Sequence, residues 1–300
     1  YKAGTDYITI RPSRWRELPP AGTRITTAHQ ALLATIQPPD TTSPVLSAGG
    51  TEQYVSSVDT GTDAITFSGA HGFLDNDPIA CWNDDGTIPI TENTIYYVRD
   101  KTSTTLKLAL LPGGSAIDLT TTPTATRFRC TIAKPITNWR IQGIEFRTKP
   151  GQLSQYNLVQ IGIEEAVRES IPRNIEFSHS YIHGIEGENG PRICMFLNAA
   201  AFSLTDSRIE HCNKEGEEGK AIGGTQTPGP LLIRNNYIAA GSINMLFGGD
   251  YVRVEGLVNG DNGGIRIEGN HFTRPLSVKY SSGTGGAGAP MGSCSDGAKY

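Results

Sequence analysis

The chain has 300 residues, 26 Lys and Arg against 30 Asp and Glu, and a formal net charge of −4. Apolar residues make up 37% and glycines number 35, enough for a substantial core and against overall disorder. An acidic balance without a basic stripe excludes a general nucleic-acid surface, and no apolar run reaches the ~18 residues of a helical membrane span.

The chain opens on Tyr1 without Met or a signal sequence, so it reads as a processed product or a piece of something longer. Apolar residues alternate at period two in short Val, Ile, Phe and Thr runs, broken by Gly, Asn, Asp and Pro. That pattern predicts an all-β protein. Residues 1–51 hold the first such runs. Residues 52–130 change character: ITF at 65–67, IYYV at 95–98 and LKLALL at 106–111 alternate with tight turns and end on a Thr-rich stretch. They predict a small inserted β-barrel or sandwich.

From 131 to 280 one short pattern recurs: Ile141–Phe146 (IQGIEF), Phe177–Ile182 (FSHSYI), Leu204–Ile209 (LTDSRI), Ile233–Ile238 (IRNNYI) and Ile267–Phe272 (IEGNHF). Each window has apolar ends and small or polar residues between them. A second apolar series, Leu158–Ile161, Ile193–Leu197 and Ile243–Phe247, falls between the windows. A strict motif at irregular spacing is what a solenoid with variable loops produces. The turn residues inside the windows tolerate left-handed backbone. The reading is a right-handed parallel β-helix, with an antiparallel sandwich as the alternative. Its five window starts should form one inward ladder, and Phe146, Ile182, Ile209, Ile238 and Phe272 a second. Residues 281–300 are a Gly/Ser-rich loop or tail.

The stretches YITIRPS (7–13), LPPAGTRITTAHQALLATI (18–36), NWRIQGIEF (138–146), NLVQIG (157–162), NIEFSHSYIHG (174–184), the run 229–250 and IRIEGNHFTRPLSVK (265–279) resemble a family of bacterial secreted right-handed β-helix repeat proteins. That family is similar in fold to pectate lyases, and its members largely lack an assigned activity. The Asn235-Asn236-Tyr237 turn followed by Asn244–Gly249 is the most specific part. In the insert, His71-Gly72-Phe73, Asn76-Asp77-Pro78, Tyr96-Tyr97-Val98 and Gly113-Gly114 resemble small accessory modules of phage tail and bacterial extracellular proteins.

The resemblance implies an extracellular or cell-surface protein. Its expected function is non-catalytic assembly or adhesion in a surface layer or filament, with contact to polysaccharide. Partners are copies of itself or neighbouring surface proteins, engaged through coil ends. The alternative is a polysaccharide lyase acting on an acidic glycan, for which Ca²⁺ is the one cofactor considered.

Catalysis on such a column needs converging carboxylates. Asp84-Asp85 lies in the insert instead, and Asp206, Glu210 and Asp250 are scattered. The densest polar run, Glu210–Lys220, reads as an excursion between two coils. As a solvated loop it has no chemistry; as a site, Glu215 or Glu217 would be metal ligand or acid, and Lys214 or Lys220 the base. His179 and His183, four apart, would share one face of a strand as half a copper or zinc site, or simply stack at turns. Tyr181, Tyr237, Tyr251 and Tyr280 could stack on sugars or pack at corners. No nucleophile elbow or phosphate loop is present. The five cysteines have no C-x-x-C spacing. An extracellular setting allows Cys194–Cys212 and Cys81–Cys130 to pair, leaving Cys294 free or bonded outside the chain.

Overall fold

The computed structural model describes residues 6–40, 42–92, 94–151, 155–163, 167–214, 217–225, 227–249 and 264–274. Coil one is β1 (Ile8–Ile10), β2 (Ala34–Ile36) and β3 (Leu46–Ala48). The chain then leaves as β4 (Gln53–Asp59), β5 (Ala64–Phe67), β6 (Pro78–Trp82), β7 (Ile95–Arg99), β8 (Thr105–Ala109) and β9 (Arg129–Ile132). It returns for coil two, β10 (Thr137–Gln142), β11 (Ile144–Arg147) and β12 (Asn157–Ile161), and coil three, β13 (Arg173–Ser178), β14 (Tyr181–His183) and β15 (Ile193–Leu197). Coil four is β16 (Ala200–Thr205), β17 (Arg208–Cys212) and β18 (Lys220–Gly224); coil five is β19 (Leu231–Arg234), β20 (Tyr237–Ala240) and β21 (Ile243–Phe247). Coil six contributes β22 (Ile265–Glu268) and β23 (His271–Thr273).

Equivalent strands stack into three parallel sheets: A (β1-β10-β13-β16-β19-β22), B (β2-β11-β14-β17-β20-β23) and C (β3-β12-β15-β18-β21). This is a parallel β-helix, not a sandwich. Alternation turns every second side chain inward, so residues at one register position become a row along the axis. Ile10, Ile141, Phe177, Leu204, Ile233 and Ile267 pair in succession in sheet A. Ile36, Phe146, Ile182, Ile209, Ile238 and Phe272 do the same in sheet B. Both rows join one continuous core with Val159, Met195 and Ile222 of sheet C. Burying such a side chain contributes about 1.5–3 kcal/mol.

The corner between sheets A and B explains the motif. Its first residue is Gly143, His179, Asp206, Asn235 or Gly269, all with positive φ of 49–65°. Glycine, Asn and Asp reach this region at least cost. The next position stacks as Ser180, Ser207, Asn236 and Asn270. The Ser180 amide donates to Ser207 Oγ (3.0 Å), that of Ser207 to Asn236 Oδ1 (2.8 Å) and that of Asn236 to Asn270 Oδ1 (2.9 Å). Each coil therefore satisfies the buried amide of the one before it.

The inserted strands close into an antiparallel barrel in the order β4-β5-β8-β7-β6-β9. Its entry and exit strands are neighbours, with Gln53 opposite Cys130, so coil one still pairs directly with coil two. The barrel has its own core around Ile65, Phe67, Ile79, Leu106 and Leu108, and Trp82 packs back against Val167 of the column. Both expected disulfides are formed. Cys81–Cys130 joins opposed residues inside the barrel (Cα–Cα 4.0 Å), and Cys194–Cys212 links sheet C of coil three to sheet B of coil four (5.5 Å). Cys294 lies outside the described residues.

Two expectations are corrected. His179 occupies the corner, because the left-handed turn falls there, so its spacing to His183 spans a bend and not one strand face. The Glu210–Lys220 run is not an excursion between coils. Glu210–Cys212 finishes β17 and Lys220 begins β18, so the connection lies within coil four and is shorter than its charge pattern suggests.

Candidate functional site

The outer faces of sheets B and C both gather polar and aromatic side chains. On sheet B the outward row is Thr35, Glu145, Tyr181, Arg208, Tyr237 and His271. Gln30, on a 3₁₀ turn at Thr27–Leu32, folds over this row and donates to Glu145 Oε1 (2.5 Å). Thr35 donates to the other carboxylate oxygen, and His183 Nε2 lies 2.9 Å from Oε1. Burial alone would raise the Glu145 pKa, yet these three contacts and the His183 charge outweigh it and bring it to about 2.

One coil further, Tyr181 donates to Glu210 Oε1 and stacks on His183 at 3.9 Å between ring centres. Arg208 forms a bidentate pair with Glu210, 2.6 Å at each oxygen, and lies over the Tyr237 ring. Burial opposes ionisation of Glu210, but the Arg208 and Tyr181 hydrogen bonds hold its pKa below the usual range. Burial and the Glu210 carboxylate push the Tyr181 phenol up. Glu145, Tyr181, His183 and Glu210 are all buried. The network is closed on itself, with both His183 nitrogens engaged by Gly184 O and Glu145. It locks neighbouring coils together, while Thr35 and His271 at the two ends of the same row are exposed.

Sheet C is open. Its outward row is Ser47, Gln160, Phe196, Gly223 and Leu246. The row floors a trough of 1090 Å³ that crosses five coils and is walled on one side by Glu52, Arg127 and Arg129 at the barrel. At ~4.8 Å per coil the floor runs about 19 Å. The opposite wall is Tyr156, Arg192, Glu218 and Lys220.

The Arg192 guanidinium lies over Tyr156 at 4.5 Å and its Nε is 3.0 Å from Glu217. Lys214 Nζ is 2.8 Å from the same carboxylate, and Lys220 Nζ is 2.9 Å from Glu218. The Lys220 hydrogen bond and charge hold the Glu218 carboxyl below its usual range. Across the trough, Asp84 pairs with Arg129 (2.8 Å) and Arg127 (3.1 Å).

The structure thus gathers Lys214, Glu217 and Lys220 beside the trough as members of ion pairs; Glu215 lies outside the described residues. His179 and His183 are on the other side of the column's section, at the sheet A–B corner and on sheet B. Tyr181 and Tyr237 belong to the sheet B network, while Tyr251, Tyr280 and Asp250 lie outside the described residues. The trough residues Tyr156, Arg192, Phe196 and Arg127 were not singled out from sequence. Phe196 sits in the unbroken apolar run ICMFL, which hides the one residue that faces out. Among the described residues no three His, Cys, Asp or Glu groups converge to hold a metal. The trough carboxylates Glu52 and Glu218 are each held by a basic side chain.

No family model matches the chain, and no curated protein does. Solved structures similar to it at low identity include two phage proteins. The tailspike gp61 of Pseudomonas phage phi297 is 14% identical, with a TM-score of 0.27 over 72% of this chain and 33% of that one. The tailspike protein gp49 from Pseudomonas phage LKA1 is 12% identical, with a TM-score of 0.21 over 68% of this chain and 45% of that one. The chain therefore spans less than half the length of either.

Proposed function

We propose that the protein is a non-catalytic surface β-helix that acts in adhesion or assembly and holds an acidic polysaccharide in the trough along sheet C. The observation that carries this reading is the trough's lining. Phe196 offers a face for the apolar side of a sugar ring, beside a Tyr156 ring that already carries the Arg192 guanidinium, and Gln160 and Asn157 offer amides for hydroxyls. Arg127, Arg129, Arg192 and Lys220 line it, each paired with Asp84, Glu52, Glu217 or Glu218, and of the four the exposed Arg127 and half-buried Arg192 are the ones an anionic sugar can reach. Guanidinium groups recognise carboxylates in two-point contacts, which suits uronate sugars. Gly223 leaves the floor between Phe196 and Leu246 without a side chain, deepening the trough where a ring would sit. Two buried disulfides favour an oxidising, extracellular setting.

The lyase reading keeps one supporting observation, the gathering of Lys214, Glu217 and Lys220 at the trough wall. One experiment separates the two. The full chain is titrated with polygalacturonate, with uncharged dextran as control, while unsaturated-sugar products are monitored. The binding reading expects retention on polygalacturonate that falls with salt, weakens about tenfold in Phe196→Ala or Arg192→Ala, and yields no product. Product formation abolished by Lys220→Ala or Glu215→Ala would establish the lyase. Equal binding of both polymers, or none of either, would refute the acidic-glycan site.

A further inference from the structure

We infer that the segment from Leu18 to Leu32 is an acid-released clasp over the sheet A–B corner, with His179 as its trigger. The segment leaves coil one and runs along the column, meeting one corner after another. Leu18 and Pro12 press on the coil-two corner, where a Cβ added to Gly143 would stand 2.7 Å from Leu18 and 3.1 Å from Pro12. At coil three the Pro20 carbonyl faces His179. At coil four the Gly22 amide donates to Asp206 Oδ2 (3.0 Å) and the Ile25 amide to Asp206 O (3.0 Å). Arg24 reaches coils five and six, donating to the carbonyls of Asn235 (3.1 Å) and Gly269 (2.9 Å). The 3₁₀ turn that follows brings Gln30 onto Glu145, so the same segment covers part of the outer face of sheet B.

One corner under this clasp is left unsatisfied. At the equivalent place in other coils, Asp206 accepts from Gly22, and Asn235 bonds both Arg24 and Gly22 O. His179 is 3% exposed, and neither of its ring nitrogens has a hydrogen-bond partner. The backbone there, with φ of 49°, asks only for a residue that tolerates the left-handed region, and Gly or Asn would meet that demand. A buried, unpaired imidazole costs stability while it is neutral, and more once it is charged.

Few charged or titratable groups face the ring. Among the described residues they are Asp206, whose Oδ2 lies 4.0 Å from Nε2 and already accepts from Gly22, and His29 on the 3₁₀ turn. Gly143, on the coil before, brings none. Burial holds the His179 pKa below its usual 6.5, with His29 acting the same way, against the pull of Asp206 and the Pro20 carbonyl. Once the clasp lifts, water reaches the ring and its pKa returns to about 6.5. The open form then takes a proton that the closed form refuses. Closure is therefore undisturbed above pH 6.5 and weakens below it, by up to about tenfold per pH unit, until the closed form is itself protonated.

The test is hydrogen exchange of the full chain from about pH 7.5 to about pH 5, read by mass spectrometry and corrected for the intrinsic pH dependence of exchange. Peptides within residues 18–33 are expected to lose about tenfold of their protection over this range, while those of β13 and β16 keep theirs. His179→Asn, which installs the residue coil five has at this corner, should abolish the loss, and His29→Gln should retain it. Titration of the His179 ring by NMR in the wild-type chain needs no variant, and a midpoint below 6.5 is expected. Flat protection in wild type, an equal loss in His179→Asn, or a ring midpoint at or above 6.5 would overturn the inference. Abolition by His29→Gln would also overturn it, moving the trigger to His29. So would an equal loss in β13 and β16, which would be unfolding of the column and not release of the clasp.

Discussion

The outer faces of sheets B and C share a backbone and an alternation, yet one is closed over its middle coils and the other is open. On sheet B the chain between β1 and β2 folds back over the outward row. Gln30 reaches Glu145 on that row, and at the adjoining sheet A–B corner the Gly22 amide reaches Asp206 and Arg24 donates to Asn235 and Gly269, one and two coils further on. Polar groups under that cover must be satisfied inside the protein, and Glu145 and Glu210 are, whereas both ring nitrogens of His179, buried at the corner, have no hydrogen-bond partner. On sheet C the excursion is the barrel, which stands beside the face as a wall. Of the polar groups there, Gln160, Arg127 and Arg192 stay at a surface where a ligand can reach them, while Arg129 and Lys220 are buried in ion pairs. Loop placement, more than strand sequence, decides whether an outward polar row is structure or site.

The largest effect expected from this contrast is at Glu145. Replacement by alanine removes the acceptor shared by Gln30, Thr35 and His183 and strands a buried polar cluster. A cost of about 3–5 kcal/mol is expected, read as a lowered urea midpoint with unchanged slope. If Glu145→Ala leaves the midpoint within about 1 kcal/mol of wild type, the sealed face is not what holds these coils together.

Acid should act on the same group. The folded-state pKa of Glu145 is depressed from 4.5 to about 2, so its contribution is complete above 4.5 and is lost as pH falls towards 2. Integrated over that window the shift corresponds to stability on the order of 3 kcal/mol. Urea midpoints measured from neutral pH down to pH 2 should fall across this window in wild type and fall less in Glu145→Gln. Parallel curves for the two proteins would remove Glu145 as the cause.

Most of the column was legible in the sequence because each coil repeats a corner. The left-handed residue and the stacking Ser or Asn behind it are local, and they bring the inward positions with them; the expected rows pair residue for residue. Four things were not legible. β18 begins at a lysine inside a charged run, because the Lys220–Glu218 pair neutralises the strand's entrance. His179 looked like a strand residue because of its even spacing to His183, although histidine tolerates a left-handed corner, as His211 (φ 55°) also does. Glu145 drew no notice because its partners lie 38, 110 and 115 positions away, and no local spacing announces a contact made by a returning loop. The trough was hidden for a related reason: one wall belongs to the insert, and only the closed barrel sets Arg127 and Arg129 across from Arg192.

The smallest stability effect should come from the open face. Phe196 is half-buried and lies on the trough floor, with Gln160 and Gly223 beside it in the row. Its removal leaves no enclosed cavity, because water enters from the trough, and no polar partner is orphaned. The loss is limited to part of one aromatic's buried area, about 1 kcal/mol. Phe177→Ala, at an inward position between Phe146 and Phe202, supplies the contrast, with about 3–5 kcal/mol expected for a sealed cavity. Urea midpoints of the two variants decide the matter. A Phe196→Ala chain as unstable as Phe177→Ala would mean that Phe196 is core, and the trough would lose its floor.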